Sequence, residues 1–185
     1  DDNSGGDCVT PSTVCTLRRA IFLANTNIGG TTLITFDIPG AGVQTIHPTS
    51  NFPDINKQTT IDGTTQPGFA GTPLIEISGD LMTGSHEGLK IRASNSLVRG
   101  LEINQIPSQE DDNGSQIGGS GITILSTSSS PNVNSVIIEG NFLGTDPTGE
   151  IKKGNDANGV HIFDADFNTI GGTTPQARNI LSGNG

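Results

Sequence analysis

The chain is poor in the residues from which most protein cores are built. It has neither Trp nor Tyr, a single Met, and only 31% hydrophobic residues among 185. A helical bundle needs far more Leu, Ala, Glu and Lys, so this composition argues against one. The chain is nevertheless long enough for one domain with a real core.

Positive charge is also scarce. Nine Lys and Arg stand against 19 Asp and Glu, which gives a formal net charge of −10. Nucleic acids and anionic membranes both need a basic surface, so we expect neither as a partner. No apolar run reaches the roughly 20 residues of a membrane span. The acidic balance is compatible with cations or neutral glycans as ligands.

Cysteine occurs only at Cys8 and Cys15. In a secreted protein this short spacing predicts a disulfide that pins the N-terminal segment, and two free thiols are the alternative. Two thiols without a nearby His do not complete the four ligands of a zinc site, so we expect no metal there.

Turn formers and short β-branched runs dominate what remains. Gly alone fills 26 positions, and runs such as residues 32–36 and 136–138 recur along the chain. These runs argue against the disorder that so polar a composition otherwise suggests. Many short strands between Gly, Asn, Asp and Pro turns predict an all-β fold. The predicted strands are residues 33–37, 44–47, 59–62, 74–78, 89–92, 96–99, 101–104, 122–125, 135–139, 160–163 and 168–170.

One segment, residues 11–25, is predicted to be helical. Ser12 or Thr16 can serve as its N-cap. Its apolar stripe has helical spacing: Leu17, Ile21 and Ala24. The helix is too short to be stable alone in water, so it must pack on an apolar surface.

Three stretches of the chain repeat one another. Each holds a Gly-led strand, an Asn-led strand and a further short strand, and the Gly-led strands start 33 and 38 residues apart. The first residues of these strands are Gly88, Gly121 and Gly159, then Asn95, Asn134 and Asn168. Three strands per period predict a right-handed parallel β-helix, a three-sided solenoid. We expect residues 1–30 to form an N-terminal cap with the disulfide and the helix, and residues 31–185 to form the coils of the same domain.

The repeat also predicts which side chains stack. Equivalent residues of successive coils lie about 4.8 Å apart, so Ile91, Ile124 and Ile162 should be neighbours in the core. The outward residues between them should align as well: Lys90, Thr123 and His161. Asn at matched turns should form amide ladders along the axis. Insertions at residues 105–119, 126–132 and 145–158 are the expected place of any ligand surface.

The N-terminal motif has a family resemblance. Cys15-Thr16-Leu17-Arg18-Arg19-Ala20-Ile21, with Ala24-Asn25, resembles the Cys-Ser-Leu-Arg-Glu-Ala motif of many large bacterial surface and secreted proteins. Residues 60–68, 168–172 and 178–184 look like segments that follow it there. The resemblance implies a right-handed β-helix, export and cell-surface placement, without an assigned activity. Arg19 departs from the family's Glu, which loses the reciprocal bond of a capping box and predicts a small local penalty.

Catalytic residues are hard to find. β-Helix enzymes that act on acidic polysaccharides typically present several carboxylates and a base on one strand face. His161, Asp164 and Asp166 are the best candidates here, and a solvated outer face followed by a turn is the alternative. No Ser nucleophile motif occurs. The sequence therefore leans towards a protein that is not an enzyme.

Calcium is the only cofactor that the acidic residues suggest. Asp111 and Asp112 lie in a polar insertion, and Asp146 and Asp156 lie in another. None of them has the spacing of an EF-hand, and Asp146 first indicates turn chemistry. We expect no cofactor, with calcium at these carboxylates as the alternative.

The leading functional prediction is a structural extracellular β-solenoid that serves as a surface stalk, adhesin segment or filament subunit. It would associate with itself through an uncapped C-terminal coil, or further C-terminal sequence would cover that coil. A polysaccharide lyase or epimerase and a glycan-binding module are the alternatives.

Overall fold

The computed structural model describes Cys8 and residues 15–185, so the predictions for Ser12 and for residues 11–14 of the helix lie outside it. The described part is predominantly β, with one short α-helix. The helix is α1 (Leu17–Thr26), and the strands are β1 (Thr32–Thr35), β2 (Gln44–Ile46), β3 (Thr59–Asp62), β4 (Ile75–Ser78), β5 (Leu89–Ile91), β6 (Leu97–Arg99), β7 (Leu101–Asn104), β8 (Ser108–Glu110), β9 (Gln116–Gly118), β10 (Ile122–Leu125), β11 (Ile137–Glu139), β12 (Phe142–Leu143), β13 (Val160–Phe163), β14 (Thr169–Ile170) and β15 (Ile180–Leu181).

Three parallel sheets are visited in turn by the chain. The first sheet has the order β1-β3-β6-β11-β14, the second β2-β4-β7-β12-β15, and the third β5-β10-β13. An isolated parallel bridge between Ile55 and Ile91 extends the third sheet by one position. Each return to a sheet therefore adds a parallel neighbour beside the previous strand. The antiparallel hairpin β8–β9 stands outside this order and occupies the predicted insertion at residues 105–119.

The predicted stacking in the third sheet is confirmed. Ile124 pairs with Ile91 on one side and with Ile162 on the other. The residues between them also align: Lys90, Thr123 and His161. Thr123 is nevertheless buried, and its hydroxyl donates to Glu87 Oε2 at 2.7 Å.

The predicted alignment in the first sheet is wrong by one residue. The repeats that begin at Asn95 and Asn134 match Val98 with Ile137, but Val98 pairs with Ile138. A one-residue slip turns every side chain to the other face, and the buried member is Ile138, while Ile137 is 38% exposed. The turn before the strand takes up the extra residue with left-handed backbone at Asn132 and Ser135, whose φ angles are 59° and 57°.

Helix α1 covers the core at the end formed by the first strands. Thr16 is its N-cap, since its hydroxyl accepts a hydrogen bond from Arg19 N at 3.1 Å. The predicted apolar stripe is buried in the same cluster as the strand residues: Leu17, Ile21 and Ala24. The predicted disulfide between Cys8 and Cys15 is present just before the helix.

Asparagine ladders connect successive strands at two turns. Asn141 Oδ1 accepts from Leu101 N at 3.0 Å, and Asn179 Oδ1 accepts from Asn141 N at 2.9 Å. This confirms the predicted amide ladder. A second ladder was not predicted, in which Asn184 Oδ1 accepts from Asn155 Nδ2 at 2.9 Å. Each amide satisfies backbone groups that the turn leaves without a sheet partner.

Candidate functional site

The three predicted catalytic residues lie near one another in the chain, but the structure does not assemble them into a site. His161 is exposed on β13, with its ring edge-on to Phe163 at 6.4 Å. Asp164 occupies a turn with φ of 50°, and the backbone of Asp166 pairs with Asn134. No hydrogen bond or ion pair within residues 15–185 joins the side chains of the three. Their catalytic role stays a prediction.

The predicted calcium ligands are likewise dispersed. Asp111 and Asp146 each accept backbone N–H bonds within their own loops, which lower the pKa of both carboxyls. Asp156 accepts from Ser108 N at 3.0 Å, and Asp112 is exposed. In the part of the chain that the structure describes, no three His, Cys, Asp or Glu residues are grouped as a metal would need. The hydrogen bonds that Asp111, Asp146 and Asp156 accept are structural contacts.

A buried polar cluster lies on the outer face of the second sheet, where no site was predicted. Glu76 on β4 and Glu102 on β7 are register partners, and both are buried. Asn104 follows on the same face of β7, while Thr145 and Lys153 come from the loop at residues 145–153. We call these five residues the carboxylate cluster.

Glu76 is the fully bonded acid of the carboxylate cluster. Its Oε1 lies 2.8 Å from Lys153 Nζ and 2.9 Å from Asn104 Nδ2, and its Oε2 accepts from the hydroxyl of Thr45 at 2.6 Å. Burial acts to raise the pKa of Glu76, but these hydrogen bonds outweigh it and lower the pKa below its ordinary value. The bond to Glu76 in turn raises the pKa of Lys153. The two therefore form an ion pair.

The carboxyl group of Glu102 accepts fewer hydrogen bonds than that of Glu76. Its Oε1 lies 2.7 Å from Asn104 Nδ2, while its Oε2 has no hydrogen-bond partner. Burial first, and the nearby charge of Glu76 second, raise the pKa of Glu102 to about 8. Glu102 is therefore a neutral carboxylic acid at pH 7. Two further buried oxygens of the cluster also lack a donor: Asn104 Oδ1 and Thr145 Oγ1.

Two neighbouring carboxyls with separated pKa values can act as an acid and a base. In this structure both are buried beneath the loop, so they can hold and release a proton but cannot meet a substrate. The sequence carried a faint signal for them, because Glu76 and Glu102 each interrupt an apolar strand at the same position. Strand alternation placed both side chains outward, and outward positions are normally solvated.

The last strands of the three sheets, β13, β14 and β15, each expose an apolar side chain. Ile162, Ile170 and Leu181 are 41%, 39% and 46% exposed. Their neighbours in register are all fully buried: Ile124, Ile138 and Leu143. We call the three exposed residues the terminal apolar face, since they continue the interior rows to the surface.

No helix of the described residues is long and apolar enough to cross a membrane. Comparison of the chain with family models, with curated proteins and with solved structures finds no match.

Proposed function

We propose that the chain is a structural segment of an extracellular protein, built as a right-handed parallel β-helix that associates through its terminal apolar face. The regular alternation among three parallel sheets supports a three-sided solenoid. So do the interior rows and the two asparagine ladders, Asn141–Asn179 and Asn155–Asn184, which link successive strands.

The terminal apolar face is the single observation that carries the proposed association. Three interior rows reach the surface there, beside the edge strands β13, β14 and β15. An edge strand offers unpaired backbone groups, and contiguous exposed apolar side chains mark interaction sites. Burying this face against a partner would remove apolar area from water and pair the strand edges at once.

A second copy of the chain, or a further coil of the same protein, would cover this face. Helix α1 packs on the opposite end of the core with Leu17, Ile21 and Ala24, so the two ends of the described core differ. Two like ends can meet about a two-fold axis, which gives a closed pair rather than a filament. The strands of the two copies would then pair antiparallel.

Placement outside the cell is supported by two features of the N-terminal segment. The disulfide between Cys8 and Cys15 is typical of oxidising compartments. The motif around Cys15 resembles that of bacterial surface and secreted proteins. We propose that this chain serves as a spacer segment of a cell-surface stalk or adhesin.

Sedimentation and light scattering over a range of concentrations test the association. We expect the purified chain to dimerise, and Ile162→Lys to shift it to monomer because a buried ammonium would be unpaired. Ile117→Lys is the matched control, since Ile117 is 50% exposed on the β8–β9 hairpin, away from the face. A chain that stays monomeric at millimolar concentration, or equal effects of both variants, would overturn the proposal.

A further inference from the structure

The loop at residues 145–153 folds back onto the outer face of the second sheet. Thr145 and Lys152 form an antiparallel bridge, and Lys153 N donates to Gly144 O at 3.0 Å, so the loop is a small closed unit. A Cβ on Gly149 at its tip would lie 3.1 Å from Ile180, which shows how closely the tip meets the sheet.

Polar attachment of this loop to the sheet passes largely through the carboxylate cluster. Asn104 Nδ2 lies 3.1 Å from Thr145 O at the start of the loop, and Lys153 Nζ lies 2.8 Å from Glu76 Oε1 at its end. A backbone bond from Gln105 N to Lys153 O adds a weaker contact at 3.3 Å. Both ends of the loop are therefore held by groups that also contact the buried acids.

The charges around Glu102 come from two elements. Glu76 faces it from β4, and Lys153 and Asp146 face it from the loop. With Glu102 ionised, three largely buried carboxylates would share the one ammonium of Lys153, and uncompensated buried charge is strongly unfavourable. With Glu102 protonated, the cluster gains an O–H donor, and two of its buried oxygens lack one, Asn104 Oδ1 and Thr145 Oγ1.

We propose that the carboxylate cluster is a proton-dependent latch, in which neutral Glu102 holds the loop at residues 145–153 on the sheet and loss of its proton releases the loop. The elevated pKa of Glu102, about 8, sets the range: the loop is closed below this pH and opens above it. Opening would bring water to Glu76 and Glu102 and separate Lys153 from its carboxylate.

Hydrogen exchange of the loop amides between pH 6.5 and 9.5, corrected for the intrinsic effect of pH on exchange, tests the latch. In the wild-type chain we expect protection of residues 145–153 to fall above about pH 8, by up to about tenfold per pH unit. Glu102→Gln is neutral at every pH and should keep the loop protected throughout. Glu150→Gln removes an exposed charge of the same loop and should leave the wild-type response unchanged.

Two results would overturn the latch: wild-type protection that stays constant to pH 9.5, or a Glu102→Gln variant that loses protection as the wild type does. If that variant does not fold, the wild-type chain still decides the question. Carbon-13 NMR of its glutamate carboxyls should show Glu102 titrating near pH 8, with the loop amide shifts following the same midpoint. A Glu102 that titrates below pH 6 would contradict the proposal.

Discussion

Glu102 and Asp62 are two buried acids whose environments work in opposite directions. The charge of Glu76 acts on Glu102 more strongly than that of Lys153, whereas Asp62 Oδ2 accepts from Arg99 Nη2 at 2.7 Å. Burial acts to raise the pKa of Asp62, but the bonds from Arg99 and Thr64 outweigh it and lower the pKa. Both side chains point outward from their strands, yet Glu102 is stabilised as a neutral acid and Asp62 as a charged carboxylate.

This contrast predicts the pH dependence of stability. The folded chain keeps the proton of Glu102 up to about pH 8, whereas the unfolded chain loses it near 4.5. The free energy of unfolding should therefore be fully retained below pH 4.5 and fall as the pH rises towards 8, by an amount on the order of 3–5 kcal/mol. Urea denaturation across this range measures it, and Glu102→Gln should remove most of the slope.

Asp62→Asn is the control of opposite sign. The contribution of Asp62 is present above its ordinary pKa and is lost as the pH falls through its lowered value. The variant should therefore be less stable than the wild type at pH 7, and the two should converge in acid. A difference that grew in acid would contradict the assigned ion pair.

At the scale of elements, the strands followed from the sequence far better than the contacts between them did. Short β-branched segments between Gly and Asn turns gave β3, β7, β10 and β13 at the predicted bounds. The hairpin β8–β9 was not predicted, because its residues are polar and do not alternate. The predicted alignment was wrong by one residue at Ile138 because the repeat pattern does not show how many residues the preceding turn contains.

The carboxylate cluster shows why the site itself could not be predicted. The alternation of side chains along a strand correctly placed Glu76 and Glu102 on the outer face of the sheet. Residues on an outer face are expected to be solvent-exposed. Their burial comes from Lys153 and its loop, which lie about 50 residues further on from Glu102. Only the folded arrangement shows that this loop turns back over the second sheet.

Helix α1 gives a prediction at this scale. Ile21 is fully buried between the helix and the first strands, so Ile21→Ala should lower the free energy of unfolding by about 2–5 kcal/mol. Phe22 is the neighbouring control, since it is exposed and its ring lies 5.1 Å from the Arg19 guanidinium. Phe22→Ala should cost about 1 kcal/mol or less by urea denaturation. Equal losses would show that the helix does not pack as described.

At the scale of the whole described chain, strands add one beside another in three parallel sheets, so the cost of a core substitution should differ between the middle and the end of a sheet. Ile124 and Ile162 occupy the same interior row, but only Ile162 is exposed. At a concentration where the chain is monomeric, Ile124→Ala should cost about 3–5 kcal/mol and Ile162→Ala about 1 kcal/mol. Urea denaturation of both variants checks this, and a larger loss at Ile162 would contradict the proposed stack.

The asparagine ladders have a consequence for how such a chain can change its length. Asn141 satisfies groups of the layer before it, and its own amide is satisfied by Asn179 in the layer after it. Duplication or deletion of one whole period would preserve every such junction, whereas a change by half a period would orphan buried amides. Insertions and deletions are therefore expected to comprise one whole period of three strands, and each added period would widen each sheet by about 4.8 Å.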